Sequence, residues 1–287
     1  MRRAGWIVVG LALLAACASS ADKEPADGRE ASAAVQAARP ADTLPQAVTI
    51  VAREYAFEVP GPVPAGRTTL RLANRGKEVH HLQLYRLEGE RTAADLGNFL
   101  RTARPGAPLP GWAVAAGGPG AIVPGGESNA TVELEPGSYA LLCYVPTHDG
   151  TPHFAKGMLQ AAEVVPAREA AGQPEPQPDA VVHLQEYDFQ LTGPLTPGES
   201  TIRVENTGAE RHEVHFFRLG AGKTLEDLRG WFESGEQGPP PARPVGGTSV
   251  IEPGARTTID LALEAGEYVL VCFEPAEEDR RPHFMHG

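Results

Sequence analysis

The chain repeats itself. Tyr55-Ala56-Phe57 in the first half reappears as Tyr187-Asp188-Phe189 in the second, and the same alignment carries Asn74 onto Asn206, Glu78 onto Glu210 and His80 onto His212. Further along, Pro136-Gly137-Ser138-Tyr139 falls on Ala265-Gly266-Glu267-Tyr268, Cys143 on Cys272, and Pro152-His153-Phe154 on Pro282-His283-Phe284. A match of this extent implies two copies of one folding unit, each of about 110 residues and large enough for its own core. Each copy carries one histidine, one cysteine and a second histidine at matching places.

Within each copy the apolar residues alternate: Val48 and Ile50, then Leu70-Arg71-Leu72, His80 to Leu87, Thr131 to Leu134, and Tyr139 to Tyr144. A period of two means strands. Turn breakers separate them at Pro64-Ala65-Gly66, Asn74-Arg75-Gly76, Pro124-Gly125-Gly126 and Glu135-Pro136-Gly137, so the pattern predicts an all-β chain of two tandem antiparallel Greek-key β-sandwiches. One short helix interrupts each sandwich. Thr92 with Asp95, and Thr224 with Asp227, have the spacing of a capping box, followed by Phe99-Leu100 and Trp231-Phe232 for the inner face. The first copy spans 47–165 and the second 180–287. The second stops short of the segment that follows His153 in the first, so the sequence predicts a sandwich lacking its last strand and leaving an unpaired edge.

Residues 1–17 read as an export signal, with Arg2 and Arg3 ahead of an apolar run from Trp6 to Leu14 that is too short to span a bilayer. Leu14-Ala15-Ala16-Cys17 resembles the bacterial lipobox, which implies acylation of Cys17 and an exported cell-envelope lipoprotein facing the periplasm. Ala18-Ser19 offers no inner-membrane retention aspartate, which points to the outer membrane where the organism has one. Residues 18–46, rich in Ala, Asp, Glu and Pro, are expected to form a disordered tether, and 166–179 a proline-rich linker. The formal net charge of −12, from 37 acidic against 25 basic residues, disfavours nucleic acid as a partner. Membrane contact is expected through the lipid anchor instead.

With Cys17 assigned, only Cys143 and Cys272 remain. Counterpart core positions of two separate units lie farther apart than the ~7 Å limit between bridged Cα atoms, so two free thiols are expected. A free thiol outside the cytoplasm needs burial or a metal. Thiolate and imidazole together select a soft metal.

At these residues the chain resembles the cupredoxins, the family of plastocyanin and azurin. Asn74 precedes His80 at the family distance, Cys143 closes a strand introduced by Pro-Gly-x-Tyr, and His153-Phe154-Ala155-Lys156-Gly157-Met158 matches the H-x-x-x-G-M ending of plastocyanin. The resemblance implies a type 1 copper held by His80, Cys143, His153 and an axial Met158, a second set in His212, Cys272 and His283, and one-electron transfer with a redox partner protein. Two alternatives stand beside it: a copper storage or handling lipoprotein serving a copper-transfer partner, and a metal-free cupredoxin-like binding or scaffold module of the cell envelope. Multicopper oxidases need H-x-H pairs, and none occurs, so a non-enzymatic protein is expected; nitrite reductases also join two such domains but need further interface histidines.

The link from Cys143 to His153 is longer than in plastocyanin or azurin, with Asp149-Gly150 as a turn that folds it back. His148, closer to Cys143, competes with His153. It has no histidine counterpart in the second copy, whereas Pro-His-Phe recurs, so His153 is preferred. His81 faces away from His80 and is expected at the rim or surface. His215 is expected on a strand without a metal role, and His183 and His286 as ordinary polar groups. In the second copy only Met285 could replace Met158.

Overall fold

Alternating burial follows the apolar period strand by strand, and the strands close into sandwiches. In chain order the elements are β1 (Val8–Leu11), β2 (Gln46–Arg53), β3 (Ala56–Glu58), β4 (Val63–Pro64), β5 (Gly66–Asn74), β6 (Gln83–Leu87), α1 (Ala93–Thr102), β7 (Ala113–Ala115), β8 (Glu127–Leu134), β9 (Gly137–Leu142) and β10 (Leu159–Val165). The second copy follows with β11 (Ala180–Gln185), β12 (Asp188–Thr192), β13 (Gly198–Asn206), β14 (His212–Leu219), α2 (Leu225–Glu233), β15 (Ala242–Ile251), β16 (Arg256–Leu263) and β17 (Gly266–Val271). The computed structural model describes residues 8–11, 46–104, 107–167 and 175–287. Cys17, with most of the expected signal and tether and linker residues 168–174, lies outside the described residues. No helix among the described residues is long and apolar enough to cross a membrane.

Each copy is a two-sheet β-sandwich. One sheet is private: β4-β10-β9-β6-β7 in the first copy and β1-β17-β14-β15 in the second. The other is shared, an eight-stranded sheet in the order β12-β11-β13-β16-β8-β5-β2-β3. It is mixed rather than wholly antiparallel, because β2 pairs parallel with β5 and β11 parallel with β13. The core is continuous through both copies, from Leu70, Leu72 and Leu141 to Ile202, Val204 and Leu270. Smaller apolar clusters lie under α1 and α2, and both helices open on the expected capping boxes, Thr92 with Asp95 and Thr224 with Asp227.

The two copies are related by a local dyad. In the shared sheet Thr131 pairs with Thr258, and their repeat counterparts Asp260 and Asn129 meet through Asn129 Nδ2 donating to Asp260 O at 2.7 Å. A second seam runs antiparallel between 116–122 and β15: Ser249 N donates to Gly118 O at 2.8 Å, and the counterpart pair Gly120 N to Gly247 O at 2.9 Å. Backbones approach so closely there that only glycine fits. A Cβ on Gly120 would lie 2.6 Å from Gly247 C, and one on Gly247, whose φ is +135°, would lie 2.0 Å from Val214 O.

The second copy lacks a counterpart of β10, as expected, but the edge this leaves is occupied in the full chain. Residues 8–11 pair antiparallel with β17, with Leu11 opposite Gly266 and Val8 opposite Val269. They take the slot that β10 takes on β9, where Val164 lies opposite Gly137 and Ala161 opposite Ala140.

Gly247→Ala is expected to lower the unfolding free energy of the chain by about 3 kcal/mol, through positive φ and a backbone collision. Gly230→Ala, in α2 with nothing within 4 Å of its Cβ position, is expected to raise it by about 0.5–1 kcal/mol. Urea denaturation of both variants checks the contrast.

Candidate metal centres

The first ligand loop is built by a buried amide. Asn74, at the end of β5, donates from Nδ2 to Glu78 O at 2.8 Å and to Ile122 O at 3.0 Å, while its Oδ1 accepts from Gly76 N at 2.9 Å. Asn206 does the same in the second copy, with Glu210 O, Ile251 O and Gly208 N. This clamp curls the chain so that His80 and His212 turn into the sandwich. It also explains the glycines: a Cβ on Gly76 would lie 2.8 Å from His80 Nε2 and 2.6 Å from Glu54 Oε1, and Gly208 is crowded alike by His212 and Glu186.

The second ligand comes from the end of β9, and the third from the loop beyond. Pro146 bridges Pro152, the Asp149 carboxylate accepts from Thr147 Oγ1 at 2.5 Å and Thr151 N at 2.9 Å, and His153 N donates to Val145 O at 2.9 Å. The loop is thus pinched shut, and its length costs nothing in placement. His153 is buried beside Cys143, whereas His148 stands exposed on the loop tip. In the second copy Pro275 bridges Pro282 and His283 N donates to Glu274 O, with the same result.

Six side chains converge as two trios, His80/Cys143/His153 and His212/Cys272/His283, all buried, with the donor atoms of each within 4.8 Å of one another. In the first trio His153 Nδ1 lies 3.1 Å from His80 Nδ1 and 3.6 Å from Cys143 Sγ. In the second, His283 Nδ1 lies 3.0 Å from His212 Nδ1, and Cys272 Sγ lies 3.5 Å and 4.0 Å from the two imidazoles. Metal–nitrogen bonds of ~2.0 Å and metal–sulfur bonds of ~2.3 Å in a trigonal array would separate donors by ~3.5 to ~3.8 Å. The trios fit an ion with small adjustments. Both thiols are free and buried.

Carboxylates and tyrosines brace the imidazoles from outside. Glu78 Oε2 lies 2.7 Å from His153 Nε2, and Glu210 Oε2 lies 3.1 Å from His283 Nε2, which leaves both Nδ1 atoms facing inward. Tyr55 and Tyr187 occupy two-residue hairpin turns at φ of 60° and 62°, left-handed backbone that costs of order 1 kcal/mol or more for a bulky side chain. The turn sets each tyrosine ring edge-on to a ligand histidine, 5.1 Å from His153 and 5.3 Å from His283. Glu54, Glu186 and these tyrosines were visible in the repeat alignment, where nothing marked them as neighbours of the trios.

Met158 is fully buried in the same core as Cys143. Met285 does not take its place: it packs in a separate cluster with Phe217, Leu228 and Phe284. His81 is corrected too, being buried at the seam between copies because the second sandwich covers the face that would otherwise be solvent. His215 lies on β14 as expected, yet it is also buried at that seam. His183 pairs with Glu205, and His286 with Asp279 while stacking on Tyr187.

Burial sets the protonation of both centres. It pushes His80 and His212 each down to about 4, assisted by the neighbouring imidazole, and lowers His153 and His283 against the pull of Glu78 and Glu210. Burial pushes the Cys143 thiol up to about 12, opposed by the His81 and Val145 amides, and raises Cys272 well above its ordinary value. Without a metal each centre is therefore neutral imidazoles beside a protonated thiol, and ion uptake releases the thiol proton.

The fold is cupredoxin-like, and its His/Cys/His groups indicate copper binding. No protein-family model and no curated protein matches the chain. Solved structures similar to it include an auracyanin from Roseiflexus castenholzii, 26% identical over 42% of this chain and 98% of that one, with a TM-score of 0.30. A copper-containing nitrite reductase from Thermus scotoductus aligns at 18% identity over 80% of this chain and 58% of its own, with a TM-score of 0.25. A blue copper oxidase from Nitrosomonas europaea aligns at 16% identity over 83% and 82%, with a TM-score of 0.22. The sequence reading expected a non-enzymatic protein, whereas the structures that align over most of the chain are named as a reductase and an oxidase.

The metal-free chain is expected to lose stability as pH falls from about 6.5 toward about 4. In that window the unfolded state binds protons that folded His80 and His212 refuse, so each contributes a slope of up to ~1.4 kcal/mol per pH unit. Urea titrations of the metal-free chain across this range measure it.

Proposed function

We propose that each trio holds one copper ion through two Nδ1 atoms and one Sγ, and that the chain works as an electron-transfer protein with Met158 as a weak fourth donor in the first centre. The single observation that carries this reading is the prearrangement of the same three buried donors twice, in matching loops. Bound copper would supply a one-electron couple. The chain does the rest: the thiol donor favours the reduced ion, neutral imidazoles serve both states, and strands braced by Asn74 and Asn206 hold the donors in one geometry throughout. Amides of His81 and Val145 point at Cys143, and those of Glu213 and Glu274 at Cys272, which favours the thiolate once the proton has left.

The same reading places the exported chain on a periplasm-facing membrane surface through acylated Cys17, exchanging electrons with a redox protein partner; processing at Cys17 would remove residues 8–11 and free the edge of β17. The Leu14-Ala15-Ala16-Cys17 pattern supports the anchor.

Copper titration followed by visible absorbance tests the assignment. Full-length chain is expected to take up two equivalents with an intense thiolate-to-copper band. Cys143→Ser and Cys272→Ser each remove one equivalent, the double variant stays colourless, and His148→Ala behaves as the parent. A parent chain indifferent to copper would sink the proposal.

A further inference from the structure

The residue after each ligand is part of a second, equally buried network that the trios do not use. In the first copy His81, following His80, accepts at Nε2 from the backbone N–H of Tyr144, which follows Cys143, at 2.8 Å. In the second, Glu213, following His212, accepts at Oε1 from the N–H of Phe273, which follows Cys272, at 3.0 Å. One repeat position thus does one job with different chemistry: it ties the strand bearing the histidine to the strand bearing the cysteine.

These two side chains meet across the seam through His215. Its Nδ1 accepts from Ala121 N at 3.0 Å, so Nε2 carries the proton and donates to Glu213 Oε2 at 3.0 Å. The Tyr144 contact likewise fixes the proton of His81 on Nδ1, which donates to Ser249 Oγ at 3.0 Å. The His81 and His215 rings stand edge to face with centroids 6.0 Å apart. From Cys143 to Cys272 the route runs through Tyr144 N–H, His81, His215, Glu213 and Phe273 N–H. The one step that is neither a covalent bond nor a hydrogen bond is the contact between the two imidazole rings. His81, Glu213, His215 and Ser249 are all buried, so water does not compete for these contacts.

Resting on the copper reading above, we propose that this relay joins the two centres electronically, so that the chain is a two-centre unit in which one electron redistributes internally. The exchange balances without an outside reagent: the reduced centre loses one electron and becomes oxidised, the oxidised centre gains it, and no proton changes place because every relay hydrogen bond keeps its donor and acceptor. His81 and His215 act as positioning residues and as the conduit, and neither contributes a donor atom to a trio.

A pulse of a small one-electron reductant delivered to the copper-loaded full chain tests this, read by the charge-transfer absorbance. The parent is expected to show, after the bimolecular reduction, a first-order phase whose rate is independent of protein concentration. His81→Leu and His215→Leu are each expected to slow that phase by roughly an order of magnitude while both equivalents of copper still load. His81→Gln, whose amide oxygen can accept the Tyr144 N–H, should recover much of the rate. Should a leucine variant fail to fold, Ser249→Ala, which frees only the far side of the His81 ring, is expected to slow the phase severalfold. Unchanged rates in variants carrying both coppers would overturn the relay and leave the copper centres standing. A parent that loads a single copper would overturn the relay by removing the second centre itself.

Discussion

A single buried carboxamide in each copy governs where everything else can sit. Asn74 spends both amide protons on the carbonyls of Glu78 and Ile122 and its oxygen on Gly76 N. A buried amide left without these partners would cost several kcal/mol, so the loop has one low-energy course. That course turns His80 inward, His81 toward the seam and Glu78 toward His153. Three roles within four residues are thus fixed by one side chain, and Asn206 repeats the arrangement.

Much of this was legible in the chain because local rules and the repeat agreed. The strands at 46–53, 66–74, 127–134 and 137–142 and both capping boxes follow from alternation and cap chemistry, which are short-range. That His153 rather than His148 lies beside Cys143 was legible as well, since only the repeated position is answerable to a shared structural demand. What escaped the sequence was long-range. His81 is polar and sits beside a ligand on the opposite face, which in an isolated sandwich means solvent; only docking of the second copy turns that face into interior. The strand formed by residues 8–11 was hidden for a similar reason, because an apolar run ahead of a lipobox-like cysteine reads as an export signal.

The copies have kept their donors and changed the surroundings. Val79 and Val145 of the first copy correspond to Arg211 and Glu274 of the second, an ion pair 2.6 Å apart and mostly buried. Burial raises Glu274 to about 7 even against the Arg211 charge. Lys156, which sits over the Tyr55 ring, corresponds to His286 stacked on Tyr187. Polar groups around a metal tune its affinity and potential as strongly as the choice of donors, so matching trios in unlike settings are two different centres.

The local dyad has a consequence for the history of the chain. Contacts in which Gly118 meets Ser249 while Gly247 meets Gly120 are isologous, the kind made by two identical subunits about a twofold axis. A one-copy forebear would present the same faces to itself and pair as a homodimer at sufficient concentration. Joining the halves in one polypeptide makes that encounter intramolecular and independent of dilution. It also releases each half from having to match itself, so a histidine on one side can be answered by a glutamate on the other.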